Sequence, residues 1–276
     1  MKEKLIPELE EKYTQLKQMF CRWEQAAVAF SGGVDSALLL YAAKDAIGER
    51  ALAITAVSPL FPGHETQDAK DFCARYEISQ QTLRMDPFSV DGFAGNPPDR
   101  CYLCKKKLFQ SILDLAQSEG IGIVCDGSNV DDEGDYRPGL KALGELKVHS
   151  PLRECGLKKE EIRVLSAHFG LPTWDKPSCA CLASRIPYGE EITEKKLQMV
   201  EEGEALLRSL GFRQMRVRVH GTLARIETEP GDFARLAQEE LRDQIYAGFA
   251  AIGFSYVSAD LRGYRTGSMN EVLKKV

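Results

Sequence analysis

A short apolar run, Ala26-Ala27-Val28-Ala29-Phe30, leads directly into Ser31-Gly32-Gly33-Val34-Asp35-Ser36, and a helical pattern follows from Asp35 to Ile47. Strand, glycine turn and helix in that order confine the chain to folds in which a strand end feeds a helix N-terminus. Glycines let the backbone turn tightly and bring N–H groups close to a ligand. The helix start adds unpaired donors and partial positive charge, so the turn suits a phosphate. Ser31 and Ser36 offer hydroxyls, and Asp35 suits a Mg²⁺ carried by the phosphates. The Gly-Lys-Ser/Thr ending of a Walker A loop is missing. Taken alone, the hexapeptide also suits a plain strand-to-helix turn capped by serine and aspartate.

The rest of the first two thirds keeps the same rhythm. Leu5, Leu9, Tyr13, Leu16 and Phe20 recur at helical spacing through residues 1–24. Ala51–Val57 reads as a strand, 65–77 as a helix, 81–85 as a strand, 101–117 as a helix, and 121–125 and 147–152 as strands. Residues 158–169 form an amphipathic helix, and 87–100 a loop long enough to suggest function. Strands alternating with helices imply an α/β fold, a parallel sheet with helices on both faces. Ligands of such sheets sit at the carboxyl ends of the strands. A Pro/Gly-marked stretch from Leu171 to Gly189 then interrupts the pattern. Beyond it come helix 193–210, strands 215–220 and 223–228, helix 232–252 and strand 256–261, a small α+β domain. The expected domains are 1–185 and 186–276.

Composition limits the partners. The chain has 276 residues, 36 Lys plus Arg against 41 Asp plus Glu, and a net charge of −5. Divided at residue 189, both parts are slightly acidic, so neither has the basic excess of a protein that binds nucleic acid through phosphates. No apolar run approaches the length of a membrane helix. The start, Met1 to Pro7, lacks the apolar core of a secretion signal, so a cytoplasmic location is expected. Eight cysteines in a reducing compartment point to thiol or metal chemistry where they cluster. The histidines, His64, His149, His168 and His220, are scattered, which argues against a histidine metal site.

Ser31-Gly32-Gly33-Val34-Asp35-Ser36 resembles the pyrophosphate loop of the N-type ATP pyrophosphatases, whose fold is adenine nucleotide alpha hydrolase-like, and Asp126-Gly127-Ser128-Asn129 resembles a second motif of that fold. The resemblance implies that ATP and Mg²⁺ bind at Ser31, Gly32, Gly33, Asp35, Ser36, Ser58, Asp126 and Gly127. It also implies AMP transfer to a substrate oxygen with loss of pyrophosphate, whose charge Lys176 is the candidate to meet. Four further segments narrow the family: 135–142 (Asp-Tyr-Arg-Pro-Gly-Leu-Lys-Ala), 176–189, Arg216-Val217-Arg218 and Ala224-Arg225-Ile226-Glu227. Together they resemble the sacrificial sulfur transferases of lactate racemase nickel-pincer cofactor maturation. The resemblance implies a small-molecule substrate, pyridinium-3,5-biscarboxylic acid mononucleotide, whose carboxylates become thiocarboxylates. It implies that Ser184, Arg185, Arg216 and Arg218 bind that substrate's phosphate or carboxylates, and that the protein is a homo-oligomer, a ring-like hexamer. Glu227 and Asp232 would help hold a divalent cation. Arg216 and Arg218 alternate on one strand and so share a face; a solvated strand face would show the same pattern.

In sulfur chemistry the sequence departs from the single-use members of that family. Ala180 stands where a sacrificial cysteine is expected, with Cys179 and Cys181 on either side. Cys101 and Cys104 form a Cys-x-x-Cys at a helix start, a position that favours thiolate. This set resembles the members that hold a [4Fe–4S] cluster on three cysteines, which implies Cys101, Cys104 and Cys181 as ligands. Cys179 is then a fourth ligand, a spare thiol or a sacrificial donor, and the sulfide source is open. Zinc, a redox disulfide or unligated thiols are the other readings of the four. Cys21, Cys73, Cys125 and Cys155 read as small packing residues. A tRNA thiolase of the same superfamily predicts a basic groove that the acidic balance does not supply. A nitrogen-transferring synthetase would need an ammonia source, and an ATP-binding sensor would leave the cysteines and arginines without a task.

Overall fold

The computed structural model describes residues 5–134 and 138–275. It divides into two compact units, Met1–Asp86 with Cys101–Cys179 and Pro87–Arg100 with Ala180–Val276. The segment 87–100 therefore belongs with the C-terminal part of the chain.

In the first unit, α1 (Pro7–Trp23) precedes β1 (Ala26–Ala29), α2 (Val34–Ile47), β2 (Ala51–Val57), α3 (Gly63–Arg75) and β3 (Ser79–Arg84). They are followed by α4 (Arg100–Ser118), β4 (Val124–Cys125), α5 (Pro138–Glu145), α6 (Pro151–Glu154) and α7 (Lys159–Phe169). The sheet runs β3-β2-β1-β4 with every pairing parallel. The chain winds outward from β1 to β3, then returns through α4 to the other side of β1. That reversal creates a crevice between the carboxyl ends of β1 and β4, where open α/β sheets bind ligands. Helix α2 is nearly all apolar, and its Ala37, Leu38, Leu39 and Leu40 are fully buried. It lies against β1 and β2 and carries α1 and α7 on its outer side.

The second unit contains α8 (Glu194–Ser209), β5 (Met215–His220), β6 (Leu223–Thr228), α9 (Phe233–Leu236), α10 (Glu239–Ile252) and β7 (Tyr256–Ala259). Its sheet runs β5-β6-β7, with β5 antiparallel and β7 parallel to β6. Thr193 caps α8, its hydroxyl accepting from the Lys196 N–H at 3.2 Å. The loop 87–100 is stitched to the segment that precedes α8. Asn96 donates to the carbonyls of Ile186 (3.2 Å) and Pro187 (2.6 Å), and Ile192 N–H donates to Ala94 at 2.8 Å.

Most elements fall within two residues of their expected positions, and the departures have physical causes. The expected strand at 147–152 is reduced to one bridge between Cys125 and His149. Lys147 turns through a positive φ of 55°, and Pro151 sits in the first turn of α6, where a missing N–H costs nothing. The strand expected from Ile121 pairs only at Val124–Cys125, because Gly120 still turns through φ +77° just before it. The long helix expected over 232–252 breaks into α9 and α10. Arg235 ties α9 to Asp232 (2.7 Å) and to the Leu210 carbonyl (3.1 Å), and Gln238 is extended before α10 begins.

Leu38→Ala, which removes a fully buried side chain from α2, is expected to cost about 2–5 kcal/mol, read as a lower urea midpoint at unchanged slope.

Candidate functional site

The two glycine motifs meet at the β1/β4 crevice. Gly32 takes φ +76°, and a Cβ there would lie 3.2 Å from the Glu65 carbonyl oxygen, so the position requires glycine. Gly33 is the last non-helical residue before α2. A Cβ on Gly127 would lie 3.0 Å from the Ser36 backbone nitrogen, so the loop after β4 rests directly on the start of α2. The hydroxyls of Ser31 and Ser36 are 3.1 Å apart, and Ser36 also donates to the Gly33 carbonyl at 3.2 Å. Ser58, just past β2, is buried and accepts from the Leu60 N–H at 3.4 Å. The Asp126 carboxylate is engaged by two hydroxyls, Ser128 at 2.5 Å and Ser150 at 2.6 Å.

Charge around this crevice is organised by Asp35 and Lys176, which the sequence singled out, together with Lys159, Glu65 and Asp68, which it did not. The Asp35 carboxylate accepts from Asn129 Nδ2 at 3.3 Å and forms an ion pair with Lys159, the first residue of α7. Lys176 lies on the other side of the loop. Its ammonium donates to the Gly32 carbonyl (3.2 Å), Glu65 Oε2 (2.7 Å) and Asp68 Oδ2 (2.7 Å). Burial would raise the Glu65 pKa, but hydrogen bonds from His64 and Lys176 outweigh it and hold the carboxyl below its ordinary value. Burial likewise opposes the Lys176 charge, yet Asp68 and Glu65 raise its pKa above the ordinary lysine value. Lys159, Glu65 and Asp68 fall in segments that the sequence marks only as helices, 158–169 and 65–77. Their partners lie more than 100 residues away, which no local pattern records.

In the second unit the expected substrate residues form a buried ionic network. Arg185 is fully buried and meets Glu204 through Nε (2.8 Å) and Nη2 (3.0 Å), while Nη1 reaches Ser184 Oγ at 3.0 Å. Arg218, on β5, donates to Glu227 (2.6 Å), Ser268 (3.0 Å) and the Ser184 carbonyl (3.2 Å); its buried Nε has no hydrogen-bond partner. Arg216 lies two residues away on the same strand, its guanidinium 4.9 Å from the centre of the Tyr264 ring. Neither belongs to a solvated strand face, since both are buried. Glu227 and Asp232, the candidates to help hold a divalent cation, are each engaged by arginine. Glu227 accepts from Arg218 and Arg225, and Asp232 pairs with Arg235 at 2.7 Å. Asp135, Tyr136 and Arg137 lie outside the described residues.

All eight cysteines are thiols. Cys101 and Cys104 lie one turn apart at the start of α4, exposed and half-buried respectively, and Cys179 and Cys181 are exposed and half-buried on an irregular segment. Accessible thiols at a helix start and on a loop have the right donor chemistry for an iron–sulfur cluster. Among the described residues, however, no three His, Cys, Asp or Glu side chains are gathered so as to hold a metal ion. Burial pushes the Cys73 thiol up to about 12 and Cys155 up to about 11, and raises Cys125 well above the ordinary value. Those three fit a packing role. Cys21 does not: it is exposed on α1, where it faces the Ala46 carbonyl at 3.7 Å.

Comparison with known proteins extends over nearly the whole chain. An uncharacterised protein of Synechocystis is 43% identical over 97% of this chain and 100% of its own length. The pyridinium-3,5-bisthiocarboxylic acid mononucleotide synthase of Lactiplantibacillus plantarum is 38% identical over 91% of each. A tRNA-specific 2-thiouridylase of Azorhizobium caulinodans is 26% identical over 65% of this chain and 56% of its own length. No family model matches. No helix among the described residues is long and apolar enough to cross a membrane.

Two outcomes follow from this geometry. Iodoacetamide at neutral pH should label Cys101 and Cys179 well before Cys73, Cys125 and Cys155, as read by peptide mass. The Glu65 carboxyl has a lowered folded-state pKa, so the stability it contributes is present above its unfolded pKa and is lost as pH falls through the folded value. The stability advantage of wild type over Glu65→Gln, measured by urea unfolding, should therefore shrink below about pH 4.

Proposed function

The chain belongs to the family of ATP-dependent sulfur transferases that contains the pyridinium-3,5-bisthiocarboxylic acid mononucleotide synthase, and we propose that it adenylylates the carboxylates of pyridinium-3,5-biscarboxylic acid mononucleotide and converts them to thiocarboxylates. The observation that carries this reading is the convergence of Gly32, Gly127, Lys159 and Lys176 on one crevice at the strand ends.

The loop from Ser31 to Ser36 receives the polyphosphate of ATP, and Asp35 is the residue that would hold an accompanying Mg²⁺, which would supply charge neutralisation. A substrate carboxylate oxygen attacks the α-phosphorus, the bond to the bridging oxygen breaks, and pyrophosphate leaves with that electron pair. Backbone donors at the start of α2 and the ammonium of Lys176 meet the leaving charge. Sulfur then adds to the carbonyl carbon of the acyl adenylate, the carbon–oxygen bond to AMP breaks, and AMP departs. Ser58, Asp126 and Gly127 complete the nucleotide side. Asp126 acts through the hydroxyl pairs that fix its loop.

Ser184, Arg185, Arg216 and Arg218 form the substrate's anion site. Arginine forks suit phosphate and carboxylate, and the buried, unpaired Arg218 Nε supports this placement. Within that site Arg185, paired with Glu204, also bonds the Ser184 hydroxyl and so orients it. The first unit carries the ATP chemistry, and the second, residues 87–100 with 180–276, binds substrate and joins copies of the chain into a hexamer. A [4Fe–4S] cluster on Cys101, Cys104 and Cys181 would, when bound, supply sulfur through an open iron. Accessible thiols at all three positions support that reading. The exposed Cys179 supports a second, in which its thiolate displaces AMP to form a thioester, and loss of the Cα proton with cleavage of the Cβ–S bond then leaves the thiocarboxylate on the substrate and dehydroalanine in the chain. Eight thiols and ATP chemistry suit the reducing cytoplasm.

Anaerobically prepared protein should be brown, release AMP and pyrophosphate only with the mononucleotide, and lose its visible absorption on Cys101→Ser. Lys176→Ala should lower the rate of AMP formation about 100-fold. AMP formation stimulated by tRNA and not by the mononucleotide would overturn the assignment.

A further inference from the structure

Lys176 reaches the loop from an irregular segment, and its reach depends on how that segment is held. Helix α7 supplies the hold. Its buried face, Ile162 and Leu165, belongs to the apolar core of the first unit, so its orientation is fixed by packing. Its N-terminal turn is fixed as well: Glu161 accepts from the Lys158 N–H at 2.8 Å and from Lys12 Nζ at 2.7 Å. One turn further on, Arg163 projects from the same side as Lys159. Its guanidinium spans the segment, with Nη1 donating to the Trp174 carbonyl at 2.6 Å and Nη2 to the Lys176 carbonyl at 2.8 Å.

We propose that Arg163 is a positioning residue for the adenylylation step, a fork that fixes the backbone of Trp174 to Lys176 so that the Lys176 ammonium meets the glycine loop. This rests on the function proposed above. The chemistry of the contact demands arginine. Two carbonyl oxygens two residues apart require two donors in a rigid plane, whereas lysine presents a single point on a flexible stem. The neighbouring turns reinforce the grip: Trp174 N–H donates to Leu171 at 3.3 Å and Lys176 N–H to Thr173 at 3.1 Å. Pro177 restricts the conformation of Lys176 from the other side. With its root fixed at both ends, only the side chain of Lys176 is left to move.

The two ammonium groups at the loop therefore share one support. Lys159 and Arg163 lie one turn apart on α7, the first pairing with Asp35 and the second holding the segment that delivers Lys176. A shift of α7 would displace both. In this role Arg163 acts through the position of Lys176, whose carbonyl it holds.

The test uses Arg163→Gln and Arg163→Lys in the full chain. Arg163 is only half-buried, so both variants should fold. The chain has two tryptophans, so in a Trp23→Phe background emission reports Trp174 alone. Both variants should lower the fluorescence anisotropy of Trp174 and speed amide exchange at Lys176. Both should reduce kcat for AMP formation about 10- to 100-fold while KM for ATP changes far less. Unchanged anisotropy and exchange in Arg163→Gln would overturn the proposal. So would an Arg163→Lys variant with parental kcat, which would reduce the contact to simple charge. If anisotropy and exchange shift as expected while the parent protein forms no AMP with the mononucleotide, the fork stands and the proposed function falls.

Discussion

Contact between two backbones, with no side chain between them, is the constraint on which the β1/β4 crevice depends. The loop after β4 comes down on the first turn of α2 at Gly127, and even one methyl group there would press on the Ser36 nitrogen at 3.0 Å. That approach brings Asn129 to Asp35. It also keeps Asp126 at the strand end, where Ser128 and Ser150 can engage it. The reversal of winding direction beside β1 makes the approach possible, because it places two strand ends side by side with their connections leaving in opposite directions.

Much of this was legible in the sequence because it is local. A strand, two glycines and an apolar helix are written in adjacent residues, and the helical spacing of Leu9, Tyr13, Leu16 and Phe20 marks α1. The sequence was less informative where a short segment could satisfy its hydrogen bonds in several ways. Residues 147–152 have strand-like composition, yet a positive φ at Lys147 and a proline at 151 turn them into a bridge and a helical turn. It was silent where a side chain finds its partner far along the chain. Lys159, Glu65 and Asp68 all look like ordinary surface charges, and only folding reveals that they pair with Asp35 and Lys176 around the loop. The arginines of β5 were legible as a pair but not as buried, since alternation along a strand does not say which face is covered.

The second unit shows a different use of charge. Arg185 with Glu204 and Arg218 with Glu227 are almost fully withdrawn from water. Pairs of that kind contribute little net stability, although removing one partner is costly because the other is left charged and buried. Their evident product is geometry. Arg185 bonds the Ser184 hydroxyl and Arg218 the Ser184 carbonyl, so one serine is oriented through both its side chain and its main chain.

The carboxylates around the glycine loop are all occupied: Asp35 by Lys159, Glu65 and Asp68 by Lys176, and Asp126 by two hydroxyls. In the proposed reaction, a polyphosphate entering the crevice would compete for ammonium groups that already have anionic partners. The same carboxylates would be waiting once pyrophosphate had formed, and each one that recovered its lysine would weaken the hold on the product. On that proposal the acidic neighbours would act as an internal eluent, trading some affinity on entry for a ready exit.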